Sequence, residues 1–172
     1  MIFNIEPTIY KVDNQNKSLI YGETNYKDLL IIFDKLYSIY NINTMIDIGS
    51  GCGNLLIYLA SKFHDIYFEG IEIQKNRYDK SIDNIMKHDL DNICIYHDSF
   101  INTYLGNYDL LFCCNTIFCD EDNDKLYNKI INEFSGIFIL FTMHPKILNY
   151  FIEKTTINTS WCKEVNIFIY KI

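Results

Sequence analysis

The sequence contains few of the residues that interrupt a fold. Only two prolines and seven glycines occur among 172 residues, and no linker rich in these residues, internal repeat or low-complexity tract divides the chain. A chain of this length is typical of one domain with a sizeable core. We therefore expect a single domain over residues 1–172, in which residues 1–19 form an irregular lead-in.

Several classes of protein are disfavoured by what is missing. The sequence has no unbroken apolar run of the roughly 18 residues that a membrane-spanning helix needs, and it does not begin with the basic segment of a secretory signal. Its six cysteines form no Cys-x-x-Cys pair, which favours free thiols over a zinc site or a disulfide framework. We expect an intracellular protein, nuclear or cytoplasmic, with no metal and no membrane partner.

Basic residues are also scarce relative to acidic ones. The chain has 15 Lys and Arg against 22 Asp and Glu, a net charge of −7. A protein that holds nucleic acid by its phosphates needs a basic face, and the densest short cluster, Gln74–Arg77, is better explained as the solvated start of a helix. We expect no strong autonomous binding of nucleic acid. No pattern indicates an oligomeric state.

Hydrophobic periodicity predicts an α/β fold. A helical stripe over Tyr26–Tyr40 is followed by apolar strands that alternate with helices, and the last two strands form an antiparallel pair. Alternation of this kind predicts a doubly wound, mostly parallel seven-stranded sheet that ends in a C-terminal antiparallel hairpin. The predicted strands cover residues 44–49, 67–73, 93–96, 108–113, 137–142, 155–161 and 165–170, and the later helices cover 54–62, 75–88, 122–133 and 146–153.

The segment Met45–Asn54 is the most informative part of the sequence. A short strand ends in Asp47, three alternate glycines follow, and a helix then begins. Glycine allows a ligand to approach the backbone closely, and the start of a helix presents free N–H groups to the same space. Glu72 follows about 20 residues later, where an acidic side chain binds the hydroxyl pair of a ribose. The pattern predicts a cofactor that contains a nucleoside.

Asp47 decides between two classes of cofactor. A carboxylate beside the turn repels a pyrophosphate, and Asn54 replaces the third glycine of the dinucleotide fingerprint. The same carboxylate suits a ligand with an amino group and a positively charged sulfur. The residues therefore favour S-adenosylmethionine (SAM) over a dinucleotide.

Further polar residues follow other predicted strands, and such strand ends meet at one edge of a parallel sheet. Asp98 offers an acceptor for an adenine amino group, and Phe100 offers a ring for the base. Asn115 is either a hydrogen-bonding residue for the cofactor or nucleophile, or an ordinary turn residue. His144 is either a base or a structural histidine beside a proline.

Several of these stretches resemble one family. The segments Ile20–Tyr26 and Ile46–Asn54, the triplet Gly70-Ile71-Glu72, the Asp98–Phe100 triplet and the tail turn Ser160-Trp161 resemble the disruptor-of-telomeric-silencing family of histone lysine methyltransferases, the non-SET class. The similarity runs from about Leu19 to the C-terminus. The resemblance implies the Rossmann-like fold of class I SAM-dependent methyltransferases, with SAM as cofactor.

The resemblance also implies an activity, which is N-methylation of a lysine in a partner protein such as a histone or nucleosome. The loop at Tyr21–Tyr26 and the tail would shape a narrow lysine channel, with Tyr21, Asn115 and Phe168 as candidate catalytic residues. Together with the glycine turn, the resemblance gives these cofactor-binding candidates: Glu23, Thr24, Asp47, Gly49, Ser50, Gly51, Gly53, Asn54, Glu72, Asp98, Ser99, Phe100 and Asn115.

The sequence departs from the family at three positions near the expected lysine channel. Cys114 and Thr116 stand where the family has Asn and Phe, and the tail aromatic of the family falls on Ile167. The basic flanking region that the family uses with nucleosomes has no counterpart. Two alternatives therefore stay open: a SAM-dependent methyltransferase of RNA or of a small molecule, and a SAM-binding subunit without catalytic activity.

Overall fold

The computed structural model describes residues 22–172. Within that range the chain alternates between strands and helices, with short 3-10 turns in several of the connections. In chain order the elements are α1 (Tyr26–Ile39), β1 (Thr44–Ile48), α2 (Asn54–Ala60), β2 (Tyr67–Glu72), α3 (Lys75–His88), β3 (Ile93–His97), β4 (Leu110–Cys113), α4 (Asp120–Glu133), β5 (Ile137–Leu140), β6 (Phe151–Ile157) and β7 (Val165–Lys171).

The strands form one seven-stranded sheet in the order β3-β2-β1-β4-β5-β7-β6. The first five strands are parallel, and β7 inserts antiparallel between β5 and β6. The predicted doubly wound sheet with a C-terminal antiparallel pair is confirmed. The strand order reverses between β1 and β4, and open sheets of this kind bind ligands beyond the carboxyl ends of the strands at such a point.

Two apolar layers cover the two faces of the sheet. Buried residues of α1 and α2 pack on one face, and buried residues of α4 pack on the other. Strands β4 and β5 are apolar and buried at every position, as expected for central strands covered on both sides. No helix within residues 22–172 has the length and apolar character needed to cross a bilayer.

The predicted helix over residues 146–153 is wrong. A 3-10 turn covers Pro145–Tyr150, and strand β6 begins at Phe151 and ends at Ile157. The β-branched run at residues 155–157 favours a strand, and pairing with β7 extends that strand back to Phe151. As a result, residues 158–161, which were predicted to lie in a strand, belong to the loop between β6 and β7.

Candidate functional site

A cavity of about 630 Å³ opens beside the carboxyl ends of the central strands. Its wall includes residues that follow β1, β2, β3 and β4, together with residues from the start of α1 and from the loop after β6. Ligand pockets in proteins typically have volumes of about 300–1,000 Å³. The cavity lies where the strand order predicts a ligand.

The glycine turn after β1 provides an open floor. Gly49 and Gly51 have positive φ angles of 82° and 57°, and a Cβ atom on Gly49 would meet nothing within 4 Å. The backbone N–H groups of Gly49 and Ser50 donate to the carbonyl of Ile71 at 2.8 and 3.0 Å, which fixes the turn against β2. A ligand can therefore approach this backbone without steric hindrance.

Gly53 has a packing role, and its predicted contact with the cofactor stays a prediction. It precedes α2 with a φ of 76° and is absent from the cavity wall. A Cβ atom at this position would lie 2.6 Å from Cδ1 of Ile95. The glycine thus allows α2 to pack closely on β3.

Glu72 is fixed by the backbone at the end of β2. Its carboxylate is buried and accepts hydrogen bonds from the N–H groups of Gly51 at 2.9 Å and Gln74 at 2.7 Å. Carboxylate oxygens have lone pairs for further donors. Because Glu72 also lines the cavity, it is placed to accept hydrogen bonds from ligand hydroxyl groups.

Asp47 is a second buried carboxyl group on the cavity wall. Burial, and then the negative charge of Glu72, raise the pKa of Asp47 to about 8. Both causes disfavour the charged form of this group. A cationic group in the cavity would offset them, so the pair of acids suits a positively charged ligand.

Ser50 adds a polar atom without a partner. Its hydroxyl oxygen is buried and makes no hydrogen bond to any part of the chain that the structure describes, and the residue lines the cavity. Buried polar groups in proteins are nearly always hydrogen-bonded. This hydroxyl, the open floor at Gly49 and the acid pair fit the ribose and the cationic end of SAM.

Two aromatic rings and an acid line the cavity after β3 and β4. Phe100, after β3, stacks on Phe118, after β4, with ring centroids 5.9 Å apart and planes 16° apart, and both residues line the cavity. Asp98 accepts hydrogen bonds from Asn102 at 2.7 Å and from the N–H of Ser99 at 2.6 Å, and these bonds lower its pKa. A purine with an exocyclic amino group suits this part of the wall.

Two distant segments join at the mouth of the cavity, and we call residues 22–25 and 158–161 together the strap. The N–H of Asn25 donates to the carbonyl of Asn158, and the N–H of Ser160 donates to the carbonyl of Glu23, both at 2.8 Å. Thr24 and Thr159 form an isolated antiparallel bridge between them. The loop and tail that the sequence predicted near the site therefore lie side by side.

The strap is tied to two helices and carries the indole of Trp161. Glu23 accepts a hydrogen bond from the side chain of Asn54 at 2.6 Å, and Asp28 of α1 accepts two from Asn158 at 2.8 Å. The Trp161 ring lies against Gly22, where a Cβ atom would be 2.4 Å from the indole. The strap thus holds an aromatic wall at the cavity mouth.

Three further aromatic residues line the cavity. They are Tyr26, Phe112 and Trp161, and Phe141 supports the last two at centroid distances of 5.9 and 6.5 Å. Sequence reasoning did not single out Phe112. Its position at the end of a fully apolar strand gave no signal that it faces a ligand.

Arg77 is a further residue that sequence reasoning missed. It was interpreted as part of the solvated start of a helix, but it lines the cavity from the first turn of α3. Its place five residues after Glu72, on the helix that follows the ribose-binding strand, is the signal that could have identified it.

Asn115 is not among the residues that line the cavity, and its predicted contact with the cofactor and its catalytic role stay predictions. Its side chain is fully buried; it accepts from the N–H of Phe141 at 3.0 Å and donates to Asn123 at 2.7 Å, to Tyr127 at 3.2 Å and to Thr142. The amide therefore links the ends of β4 and β5 to α4, below the cavity wall.

The other predicted catalytic residues have different outcomes. Phe168 lies on β7, packs on the α4 side of the sheet and is not among the residues that line the cavity, so the structure does not place it with the other candidates and its catalytic role stays a prediction. Tyr21 lies outside the described residues. His144 stacks on Tyr127 at 4.4 Å, and its Nδ1 accepts from the N–H of Lys146, which gives it a structural role.

Comparison with known proteins agrees with this geometry. A family model described as "Putative methyltransferase" matches residues 41–110, less than half of the chain, and no curated protein gives a significant match. An RNA methyltransferase from Salinibacter ruber, solved with S-adenosyl-L-homocysteine, is 14% identical with a TM-score of 0.60, over 83% of this chain and 90% of that one.

Two further solved structures have the same fold. The methyltransferase domain of bacterial CtHen1-CN is 15% identical with a TM-score of 0.65, over 86% of this chain and all of that one. The mitomycin 7-O-methyltransferase MmcR is 13% identical with a TM-score of 0.61, over 77% of this chain and 50% of that one. The chain has the fold of class I SAM-dependent methyltransferases, whose cofactor is SAM; these likenesses do not define the acceptor.

Proposed function

We propose that the protein is a SAM-dependent methyltransferase that methylates a lysine side chain of a partner protein. One observation carries the proposal: two buried acids, Asp47 and Glu72, lie in a cavity whose wall also includes aromatic rings. The acids suit a cationic cofactor. The rings suit an amine that must lose its hydration and its charge before it reacts.

Each polar residue of the cavity wall has a proposed role in holding the cofactor. Glu72 would accept hydrogen bonds from the ribose hydroxyls, Asp98 would accept one from the adenine amino group, and the Phe100 ring would lie against the base. Asp47 lies beside the glycine turn, where its charge stabilises the amino acid end of the ligand. When bound, SAM supplies a methyl group on a positively charged sulfur.

The aromatic residues of the cavity wall are proposed to favour the neutral, reactive form of the acceptor amine. A lysine amine has an ordinary pKa near 10.4 and is nucleophilic only when neutral, and an apolar environment favours the neutral form. Tyr26, Phe112 and Trp161 provide that environment. The amine releases its proton to solvent as it enters, and the walls hold its nitrogen in line with the methyl group.

Charge favours a basic protein over RNA as the acceptor. The chain carries a net charge of −7, and Glu23 and Asp122 belong to the cavity wall. Acidic side chains attract the ammonium group of a lysine and repel phosphates. A protein segment that presents a lysine fits this wall better than a nucleic acid strand.

The test is transfer of label from methyl-tritiated SAM to separate panels of core histones, nucleosomes, cell-extract proteins, RNA and small molecules. We expect label in protein, recovered as methyl-lysine after acid hydrolysis. Label confined to RNA or to small molecules would contradict the proposed acceptor. Tight binding of S-adenosylhomocysteine without any transfer would indicate a SAM-binding subunit that lacks catalysis.

Two variants control that experiment. Glu72→Gln should lose most of the transfer, because it removes the charge of the carboxylate proposed to hold the ribose. Asp34→Asn, at an exposed position of α1, changes the net charge by the same amount and should retain the transfer. Equal transfer by the two variants would contradict the role of Glu72.

A further inference from the structure

A second cluster of chemically related side chains lies on the face of the sheet that α4 covers under the central strands. Tyr67 and Glu69 alternate along β2, Cys94 and Tyr96 alternate along β3, and Glu69 is the register partner of Cys94. Alternate residues of a strand share one face, so these four side chains point to the same side. With Tyr108, which contacts Glu69, they form what we call the tyrosine patch.

The tyrosine patch is open to solvent. Tyr67 is 41% exposed and Tyr96 is 47% exposed, and β3 is the outermost strand of the sheet among residues 22–172. The connection from β3 to β4 contains only two 3-10 turns, at Phe100–Asn102 and Leu105–Asn107. The helix α4, which covers this face under the central strands, does not bury these two tyrosines.

Glu69 interacts with three tyrosines of the patch, through one hydrogen bond and through its charge. The hydroxyl of Tyr108 donates to its carboxylate at 2.6 Å. A hydrogen bond to Cys94 and then the charge of Glu69 raise the pKa of Tyr96 to about 12, and burial, Cys94 and Glu69 raise the pKa of Tyr67. The charge of Glu69 thus acts on both exposed tyrosines, in addition to the hydrogen bond at Tyr96 and the burial of Tyr67.

We propose that the tyrosine patch binds a lysine or arginine side chain of a partner polypeptide. Exposed aromatic rings bind organic cations, and here Tyr67 and Tyr96 share a strand face with the carboxylate of Glu69. The five side chains of the patch include one acid and no base, which makes the surface complementary in charge to a basic segment. None of the five lines the cavity, so the proposal does not depend on the proposed methyl transfer.

The test follows the tyrosine rings directly. The protein is labelled with ¹³C-tyrosine and titrated with a lysine-containing peptide, with its arginine twin and with a neutral twin in which norleucine replaces lysine. We expect the ring signals of Tyr67 and Tyr96, assigned from Tyr→Phe variants, to shift with the basic peptides alone. Unchanged signals at saturating peptide, or equal shifts with the neutral twin, would overturn the proposal.

Substitution of the acid gives the second readout. Glu69→Gln keeps an oxygen acceptor for the Tyr108 hydroxyl and removes the charge, so we expect the basic peptides to bind about five- to tenfold more weakly at this site. Tyr96→Leu, at an exposed position, should weaken binding of the basic peptides to a similar extent. If Glu69→Gln fails to fold, the affinity of Tyr96→Leu tests the site instead, and native affinity in that variant would contradict it. Asp34→Asn is the matched control, and a loss of affinity in it equal to that in Glu69→Gln would contradict a site at Glu69.

Discussion

At the scale of single residues, Asp47 and Glu72 differ in how the fold treats their charge. Glu72 accepts two backbone hydrogen bonds, whereas burial and the neighbouring charge raise the pKa of Asp47 to about 8. Near neutral pH, Asp47 of the ligand-free protein therefore holds a proton. Asp47 is proposed to neutralise the positive charge of the cofactor. The protein alone does not stabilise the charged form of this carboxyl group.

The raised pKa of Asp47 predicts a pH-dependent stability. The folded state holds this proton up to about pH 8, and the unfolded state loses it near pH 4. This group therefore lowers the free energy of unfolding as the pH rises between those values. We expect Asp47→Asn to stabilise the ligand-free protein at pH 8 by roughly 1 kcal/mol or more and to leave it nearly unchanged at pH 4. Urea unfolding at both pH values measures the difference, and an equal change at both would contradict the assignment.

Binding of SAM should release protons. A cationic ligand favours the charged form of Asp47, so binding must displace the proton that this group holds below about pH 8. We expect the affinity to rise between pH 6 and pH 7.5, and up to one proton to be released per ligand. Calorimetry in two buffers with different ionisation enthalpies counts that proton. No release by the native protein, or release by Asp47→Asn equal to it, would count against the proposed contact.

Asn115 should matter for stability rather than for direct contact with the ligand. Asn115→Ala leaves the buried N–H of Phe141 without its acceptor and deprives Asn123, Tyr127 and Thr142 of a donor. We expect a loss of roughly 2–4 kcal/mol in the free energy of unfolding. Urea denaturation measures it. Unchanged stability together with lost methyl transfer would instead support the catalytic role predicted from the sequence.

At the scale of elements, the strap joins two segments that lie more than 130 residues apart in the sequence. Its backbone bonds link residues 22–25 to residues 158–161, and its indole contacts a glycine that leaves no room for a Cβ atom. Because Trp161 is the only tryptophan of the chain, its fluorescence reports directly on the cavity mouth.

Gly22→Ala should displace the Trp161 ring from the mouth. We expect its fluorescence emission to move to longer wavelength. Methyl transfer should fall more than the affinity for S-adenosylhomocysteine, because this ring is part of the proposed acceptor site. Gly106→Ala is the matched control, since its new Cβ atom would press on Tyr104 rather than on the indole. Identical emission from Gly22→Ala and the native protein would contradict this contact.

Sequence patterns predicted most of the elements, but they did not show which way strand-end side chains point. The glycine turn and the acid on the next strand depend on local spacing, and the structure places both on the cavity wall. Asn115 and Phe168 follow or lie in predicted strands, yet one points below the wall and the other to the α4 side. Arg77 lines the cavity from the first turn of α3, and the short spacing after Glu72 is the only local signal for it.

At the scale of the whole molecule, the strand order produces the site. Order β3-β2-β1-β4 puts the ends of β1 and β2 next to each other, so that Asp47 and Glu72, 25 positions apart in the sequence, share one cavity. The cavity at the carboxyl ends of the strands and the tyrosine patch on one face of the sheet have no residue in common. A net charge of −7 favours basic partners at both.

The central claim is that the two acids and the glycine turn bind the adenosyl cofactor, and calorimetry with S-adenosylhomocysteine tests it most directly. We expect one-to-one binding to the native protein, about 10- to 100-fold weaker binding to Glu72→Gln, and native affinity in Asp34→Asn. A folded native protein that gives no binding heat at any temperature tried, or a Glu72→Gln variant that binds as tightly as the native chain, would contradict the account.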